Sequence, residues 1–294
     1  MNKTNGVDFP ITIVGDDRLA VSIAEGLRAN GYFTVLLSTV GSTAGKDIQI
    51  LTDWPETIQS RLVVVATVDR LEDKLEMIQR IEERVSDDTI IAINMEAVSL
   101  PEIVEECRHP KRIFGLNWTF PVGQTYFAEI ISHAHSNEVA LESLVDQVKK
   151  YWNKDPYVVQ SGFSIRARMM AAMLREALYL VEEDFASVES VDRACRNDAG
   201  YYLPFAGNFR YMDLMGTYAY GMVMKDLNPE LSTSTTLSPI LREMRTLGET
   251  GMDQGRGFYA YSPDDRKNWE EVFDKFSKEM KELIKKFDHE KIYR

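Results

Sequence analysis

The chain has 294 residues, 44% hydrophobic and 27% charged, which is enough for about two domains and too apolar for a disordered polymer. Its 34 Lys and Arg against 46 Asp and Glu leave a net charge of −12, which disfavours nucleic-acid phosphates and anionic lipid as general partners. No apolar run approaches the roughly 20 residues of a membrane span, Met1 to Gly6 has no secretory pattern, and Cys107 and Cys195 are too few for a disulfide framework, so a soluble protein of a reducing cytoplasm is expected.

In chain order, short β-branched runs at Ile11–Val14, Thr34–Leu37, Ile48–Leu51, Leu62–Ala66, Ile90–Asn94 and Ile113–Leu116 alternate with amphipathic stretches at Arg18–Asn30, Glu72–Val85 and Leu100–Cys107. Runs such as Leu62-Val63-Val64-Val65 lack polar alternation, which predicts burial on both faces and an α/β fold with a Rossmann-like doubly wound parallel sheet. The polar, glycine-bearing link Ser38 to Asp47 has no room for a crossover helix, so one βαβ unit is expected to be trimmed to a loop. Two more strands are expected at Tyr126–Ile131 and Tyr157–Gln160. From Ser164 onward the pattern is helical, with Ile165, Met169, Met170, Met173, Leu174 and Leu178 at three- and four-residue spacing. A boundary near Ser161 therefore predicts a Rossmann-like domain at 1–160 and an all-α domain at 161–294. The methionines read as adaptable packing, in a core or at a dimer interface. Beyond Pro263, the residues Trp269, Phe273, Phe276, Met280, Leu283 and Phe287 share one stripe, predicting an amphipathic helix docked on the body or on a partner subunit.

A strand, a tight turn and a helix form the place where such folds hold a pyrophosphate, and here that segment is Val14-Gly15-Asp16-Asp17-Arg18-Leu19-Ala20. Gly15 supplies the first glycine, Asp17 stands in place of the second, and Ala20 is an accepted third. Two carboxylates at a helix start read first as cap and dipole partners, and only second as neighbours of a pyrophosphate. The acid expected at the end of the second strand, which takes the ribose hydroxyls, is replaced by Ser38 and Thr39.

The segments Leu62–Glu72 and Asp88–Asn94, the pair Gly162-Phe163, and the runs Glu182–Ser187, Met212–Gly216 and Gly255–Tyr261 together resemble the 3-hydroxyacyl-CoA dehydrogenases of fatty acid metabolism over most of residues 10–261. The resemblance implies NAD as cofactor, set against Gly15, Asp16, Asp17, Leu19, Ser38, Ala66, Thr67, Val68 and Asn94. It also implies an acyl-CoA substrate and a homodimer formed through the helical domain. In that family a histidine oriented by a glutamate takes the proton of the 3-hydroxyl. The histidine position corresponds here to Asn117, in Asn117-Trp118-Thr119-Phe120-Pro121, and the glutamate to Glu129. The family's substrate asparagine corresponds to Arg166 and its serine to Val98 or Ser99, so the catalytic candidates are Glu129, Asn117, Arg166 and Ser99.

An amide takes up no proton near neutral pH, so Asn117 is not a base. The expectation is an ion pair of Glu129 with Arg166 across a domain cleft, in place of the lost histidine contact. His133 and His135 are alternative bases, although a solvated loop pair is the simpler reading; His109 and His289 read as surface residues, and no metal-ligand spacing stands out. Two functions remain open: an NAD-linked oxidoreductase of a 3-hydroxyacyl thioester or related hydroxy acid, and a non-catalytic ligand-binding or scaffold homologue. A lysine-based β-hydroxyacid dehydrogenase is disfavoured, because residues 162–168 contain arginines and no lysine.

Overall fold

The computed structural model describes residues 10–41, 44–45, 47–160 and 162–287; His289 lies outside them, as does the boundary residue Ser161. Eight strands form one sheet: β1 (Ile11–Val14), β2 (Thr34–Leu37), β3 (Gln49–Leu51), β4 (Leu62–Val65), β5 (Ile90–Ile93), β6 (Ile113–Asn117), β7 (Phe127–Ile131) and β8 (Asp155–Val159). Their order is β3-β2-β1-β4-β5-β6-β7-β8. The first six run parallel, and the order reverses between β1 and β4, the switch point of a doubly wound fold. Side chains alternate between two cores: Ile13, Leu36, Val64 and Phe114 face one, with Ile23 and Leu27 of α1 (Arg18–Ala29), and Val14, Leu37, Val63 and Ile93 face the other, with Ile78 and Ile81 of α2 (Leu71–Glu82). Trp118 belongs to the first core, stacked on Trp152 at 5.2 Å.

The sheet is not parallel throughout. Only residues 118–126 join β6 to β7, fewer than a parallel crossover needs, so β7 runs antiparallel to β6 and places Glu129 opposite Asn117. The sequence pattern also passes over α4 (Glu138–Asp146), which starts where the Asn137 side chain accepts the Ala140 N–H at 2.9 Å and which returns the chain so that β8 pairs parallel to β7. As expected for a trimmed unit, β2 pairs parallel with β3 without a helix among the described residues of the link. A short α3 (Leu100–Val104) follows β5.

The chain divides into two compact units, residues 1–167 and 168–294. The second holds most of α5 (Ile165–Glu182), then α6 (Val188–Ala194), α7 (Gly200–Met215), α8 (Thr217–Leu227), α9 (Pro239–Leu247) and α10 (Asp265–Lys286). None of α5 to α9 contains a buried residue. Met169 and Met173 are each more than half exposed, so they are not core packing, and the α10 stripe of Trp269, Phe273 and Phe276 is likewise exposed. Among the described residues no helix is long and apolar enough to cross a membrane.

Candidate active site at the carboxyl edge of the sheet

The turn after β1 is held by close packing. A Cβ on Gly15 would lie 2.3 Å from the Ala66 carbonyl oxygen and 2.9 Å from the Ala20 Cβ, so only glycine lets this turn pass between β4 and α1. Asp17 is the N-cap of α1, accepting the Ala20 N–H at 2.8 Å. Asp16 is not a capping residue. Its carboxylate crosses to the end of β2, where it accepts Ser38 Oγ at 3.0 Å, Thr39 Oγ1 at 3.1 Å and the Val40 N–H at 3.4 Å. Asp16 is thus tethered toward β2, whereas Asp17 keeps its carboxylate at the first turn of α1. The backbone N–H groups of Asp16, Asp17 and Leu19 have no acceptor among the described residues.

At the switch point the ends of β4 and β5 are tied by one side chain. Asn94 accepts the Thr67 N–H and donates to the Thr67 carbonyl, each at 2.9 Å. Ala66 donates its N–H to Val14, while Val68 stands exposed at the rim and the Thr67 hydroxyl is buried without a hydrogen-bond partner. Below this edge lies a charged network that the sequence pattern gives no sign of. Lys74, on the charge-rich α2, is fully buried and donates to the Asn94 carbonyl at 2.6 Å and to Asp69 at 3.2 Å. Burial pulls the Lys74 ammonium below the usual lysine range, and the Asp69 charge opposes that pull. Asp69 also accepts the N–H groups of Glu96, Ala97 and Val98. Burial alone would raise its carboxyl, but these N–H groups and Lys74 hold it below the ordinary aspartate value.

Glu129, fully buried, accepts four donors: Asn117 Nδ2 at 2.8 Å, Tyr157 Oη at 2.9 Å, and the backbone N–H groups of Ile165 at 2.8 Å and Arg166 at 3.2 Å. The last two belong to the first turn of α5, whose start is fixed by Ser164 accepting the Ala167 N–H and by Gly162, where a Cβ would meet Pro101 Cδ at 2.5 Å. The expected ion pair of Glu129 with Arg166 is therefore corrected. The backbone of Arg166 serves Glu129, whereas its guanidinium pairs with Glu96 at 2.6 Å and lies over the Phe127 ring. Asn117, 1% exposed, also bridges both polar groups of the Met95 backbone, so its amide is spent within the protein. Ser99 is the half-buried N-cap residue of α3 and its hydroxyl makes no cap bond.

His133 is excluded from this edge by the direction of β7. Two residues past the end of β7, it lies at the opposite edge, bonded to the Pro110 carbonyl at 3.1 Å. Burial holds its ring below the usual histidine value, so it is no solvated loop histidine. Tyr157 enters the site through the β7–β8 register, which pairs it with Glu129 and which no sequence pattern displays. Burial and the Glu129 contact both push its phenol upward. Among the described residues no three His, Cys, Asp or Glu are grouped to hold a metal ion.

A doubly wound domain with a glycine turn at its switch point defines a dinucleotide-binding protein of the Rossmann class. Residues 11–162 match the family model for the 3-hydroxyacyl-CoA dehydrogenase NAD binding domain, and residues 162–261 match that for its C-terminal domain. The chain belongs to the 3-hydroxyacyl-CoA dehydrogenase family, and NAD is the cofactor that membership implies. A 3-hydroxybutyryl-CoA dehydrogenase of Clostridioides difficile is 25% identical over 264 residues, 89% of each chain. A 5-formyl-3-hydroxy-2-methylpyridine 4-carboxylate 5-dehydrogenase of Mesorhizobium japonicum is 24% identical over 229 residues, 77% of this chain and 69% of the relative. Among solved structures, an NAD+-dependent dismutase with that same 5-dehydrogenase activity shares the fold with a TM-score of 0.84 at 20% identity, covering 95% of this chain and 99% of its own. A 3-hydroxyacyl-CoA dehydrogenase of Archaeoglobus fulgidus does so at 0.66 and 21%, covering 94% and 98%.

The residues present fit NAD. The open N–H groups of Asp16, Asp17 and Leu19 suit a pyrophosphate, the Asp16 carboxylate is drawn off toward the end of β2, and the Thr67 hydroxyl, buried just past β4, lacks a partner.

Proposed function

We propose that this chain is an NAD-linked oxidoreductase that interconverts a hydroxyl and a carbonyl on a 3-hydroxyacyl thioester or related hydroxy acid, with Glu129 reached through Tyr157 in place of the family's histidine. The observation that carries this reading is the Tyr157 hydroxyl, 2.9 Å from Glu129 on a side chain that is 37% exposed, which gives a sealed carboxylate an outlet. Bound NAD supplies the hydride acceptor. The substrate carbon gives up its hydride and its hydroxyl proton passes to Tyr157 Oη as the tyrosine proton moves to Glu129, leaving the carbonyl; reduction is the reverse. Asn117 positions the carboxylate, and Arg166 and Ser99 are set as substrate neighbours.

A second reading, the ligand-binding homologue without turnover, is favoured by the four donors that already satisfy Glu129. The two are separated by NAD(H) calorimetry followed by turnover of acetoacetyl-CoA with NADH. The enzyme reading expects turnover that falls by about 10²- to 10⁴-fold in Tyr157→Phe and Glu129→Gln while NADH still binds. Binding without turnover in the unaltered protein leaves the homologue reading.

We also infer a homodimer through the helical unit and residence in a reducing compartment, the cytoplasm. In support, α5 to α9 bury no side chain of their own, and Cys107 and Cys195 are unpaired. Light scattering is expected to give twice the 33.6 kDa chain mass, with a melting temperature that rises with protein concentration. A monomer at micromolar concentration that melts cooperatively overturns this.

A further inference from the structure

We infer that Asp16 is the residue that selects NAD over NADP, supplying from the β1–α1 turn the carboxylate that β2 lacks. The inference rests on the NAD-binding reading and adds a role for one side chain. In a doubly wound dinucleotide site, an acid at the end of the second strand accepts the adenosine ribose hydroxyls and repels a 2′-phosphate. Here β2 ends at Leu37, and the next two residues, Ser38 and Thr39, carry no charge. On sequence alone such an end has nothing to turn a phosphate away. The structure fills the position from elsewhere: Asp16 reaches the end of β2 and holds both hydroxyls and the Val40 N–H through its two oxygens.

Those contacts fix the direction of the carboxylate without exhausting it. Among the described residues three donors reach a group with about four lone-pair sites, and Asp16 remains exposed to solvent. A ribose diol brings donors that this anion can accept, whereas a 2′-phosphate brings a dianion against a carboxylate held in place. Ser38, buried and bonded to both Asp16 and the Gly41 carbonyl, acts as the clamp that sets the geometry.

The test is calorimetric titration of the full chain with NADH and with NADPH, in the unaltered protein and in Asp16→Asn and Asp16→Ala, with melting curves to confirm folding. The unaltered chain is expected to bind NADH at least tenfold more tightly than NADPH. In both variants that ratio is expected to shrink by tenfold or more, because NADH weakens while NADPH does not. A ratio unchanged in Asp16→Asn, or an equal weakening of both nucleotides, overturns the role of Asp16 and leaves NAD binding intact. Binding of neither nucleotide by the unaltered chain overturns both readings.

Discussion

Glu129→Ala is expected to lower the stability of the first unit by at least about 3 kcal/mol, whatever it does to activity. The carboxylate is fully buried and terminates four donors from three separate places: Asn117 on β6, Tyr157 on β8, and two backbone N–H groups at the start of α5. Alanine takes that acceptor from all four donors, of which the Tyr157 hydroxyl, on a side chain 37% exposed, can turn to solvent. Each orphaned buried donor costs about 1–3 kcal/mol, with some of the loss recovered by relaxation. Urea unfolding followed through Trp118 and Trp152 measures this, and a loss below about 1 kcal/mol would show that the carboxylate is not the hub of this edge. One consequence concerns catalysis: lost turnover in Glu129→Ala is ambiguous, which is why the activity test uses Glu129→Gln and Tyr157→Phe.

Asp69→Ala is expected to cost about 3 kcal/mol, and clearly more than Lys74→Met. The asymmetry follows from what each variant leaves behind. Without Asp69, the fully buried Lys74 ammonium loses its ion-pair partner and keeps the Asn94 carbonyl, and the N–H groups of Glu96, Ala97 and Val98 lose their acceptor. Without Lys74, the partly exposed Asp69 keeps three backbone donors, and a methionine fills the channel without a charge to desolvate. Because the folded Asp69 carboxyl is more acidic than the unfolded one, its contribution is complete above the unfolded value of 3.8 and is lost as pH falls through the lower folded value. Denaturant titrations at pH 7 and below pH 4 check both statements. Equal losses in the two variants, or an Asp69→Asn protein that keeps the same acid sensitivity, would contradict the network described.

Much of the architecture was legible because it rests on periodicity. The first six strands, α1, α2 and the long α5 followed from uninterrupted β-branched runs and from apolar residues at helical spacing, which report burial directly. α4 escaped because its face is short and it buries only Leu144, leaving too weak a stripe to register. The direction of β7 does not follow from alternation, which says only that a strand exists; it follows from the link after β6, too short for a parallel crossover. That direction decided the histidine question: it sends Glu129 to the carboxyl edge and His133 to the other.

The sequence by itself determined the class of the fold, the glycine turn at Gly15, and, through the family resemblance, Asn117 at the position of the family's histidine and Glu129 at that of its glutamate. Tertiary structure decided what those residues do. Asp16 and Asp17 are adjacent in sequence and look equivalent, yet one caps α1 and the other reaches β2, because a one-residue step at the end of a strand turns a side chain to a different neighbour. Glu129 and Arg166 carry opposite charges, yet the guanidinium pairs with Glu96 while the α5 amides satisfy the carboxylate. Which of several compatible partners a charged group takes is set by the distances and directions that packing leaves, and a one-dimensional pattern does not contain them.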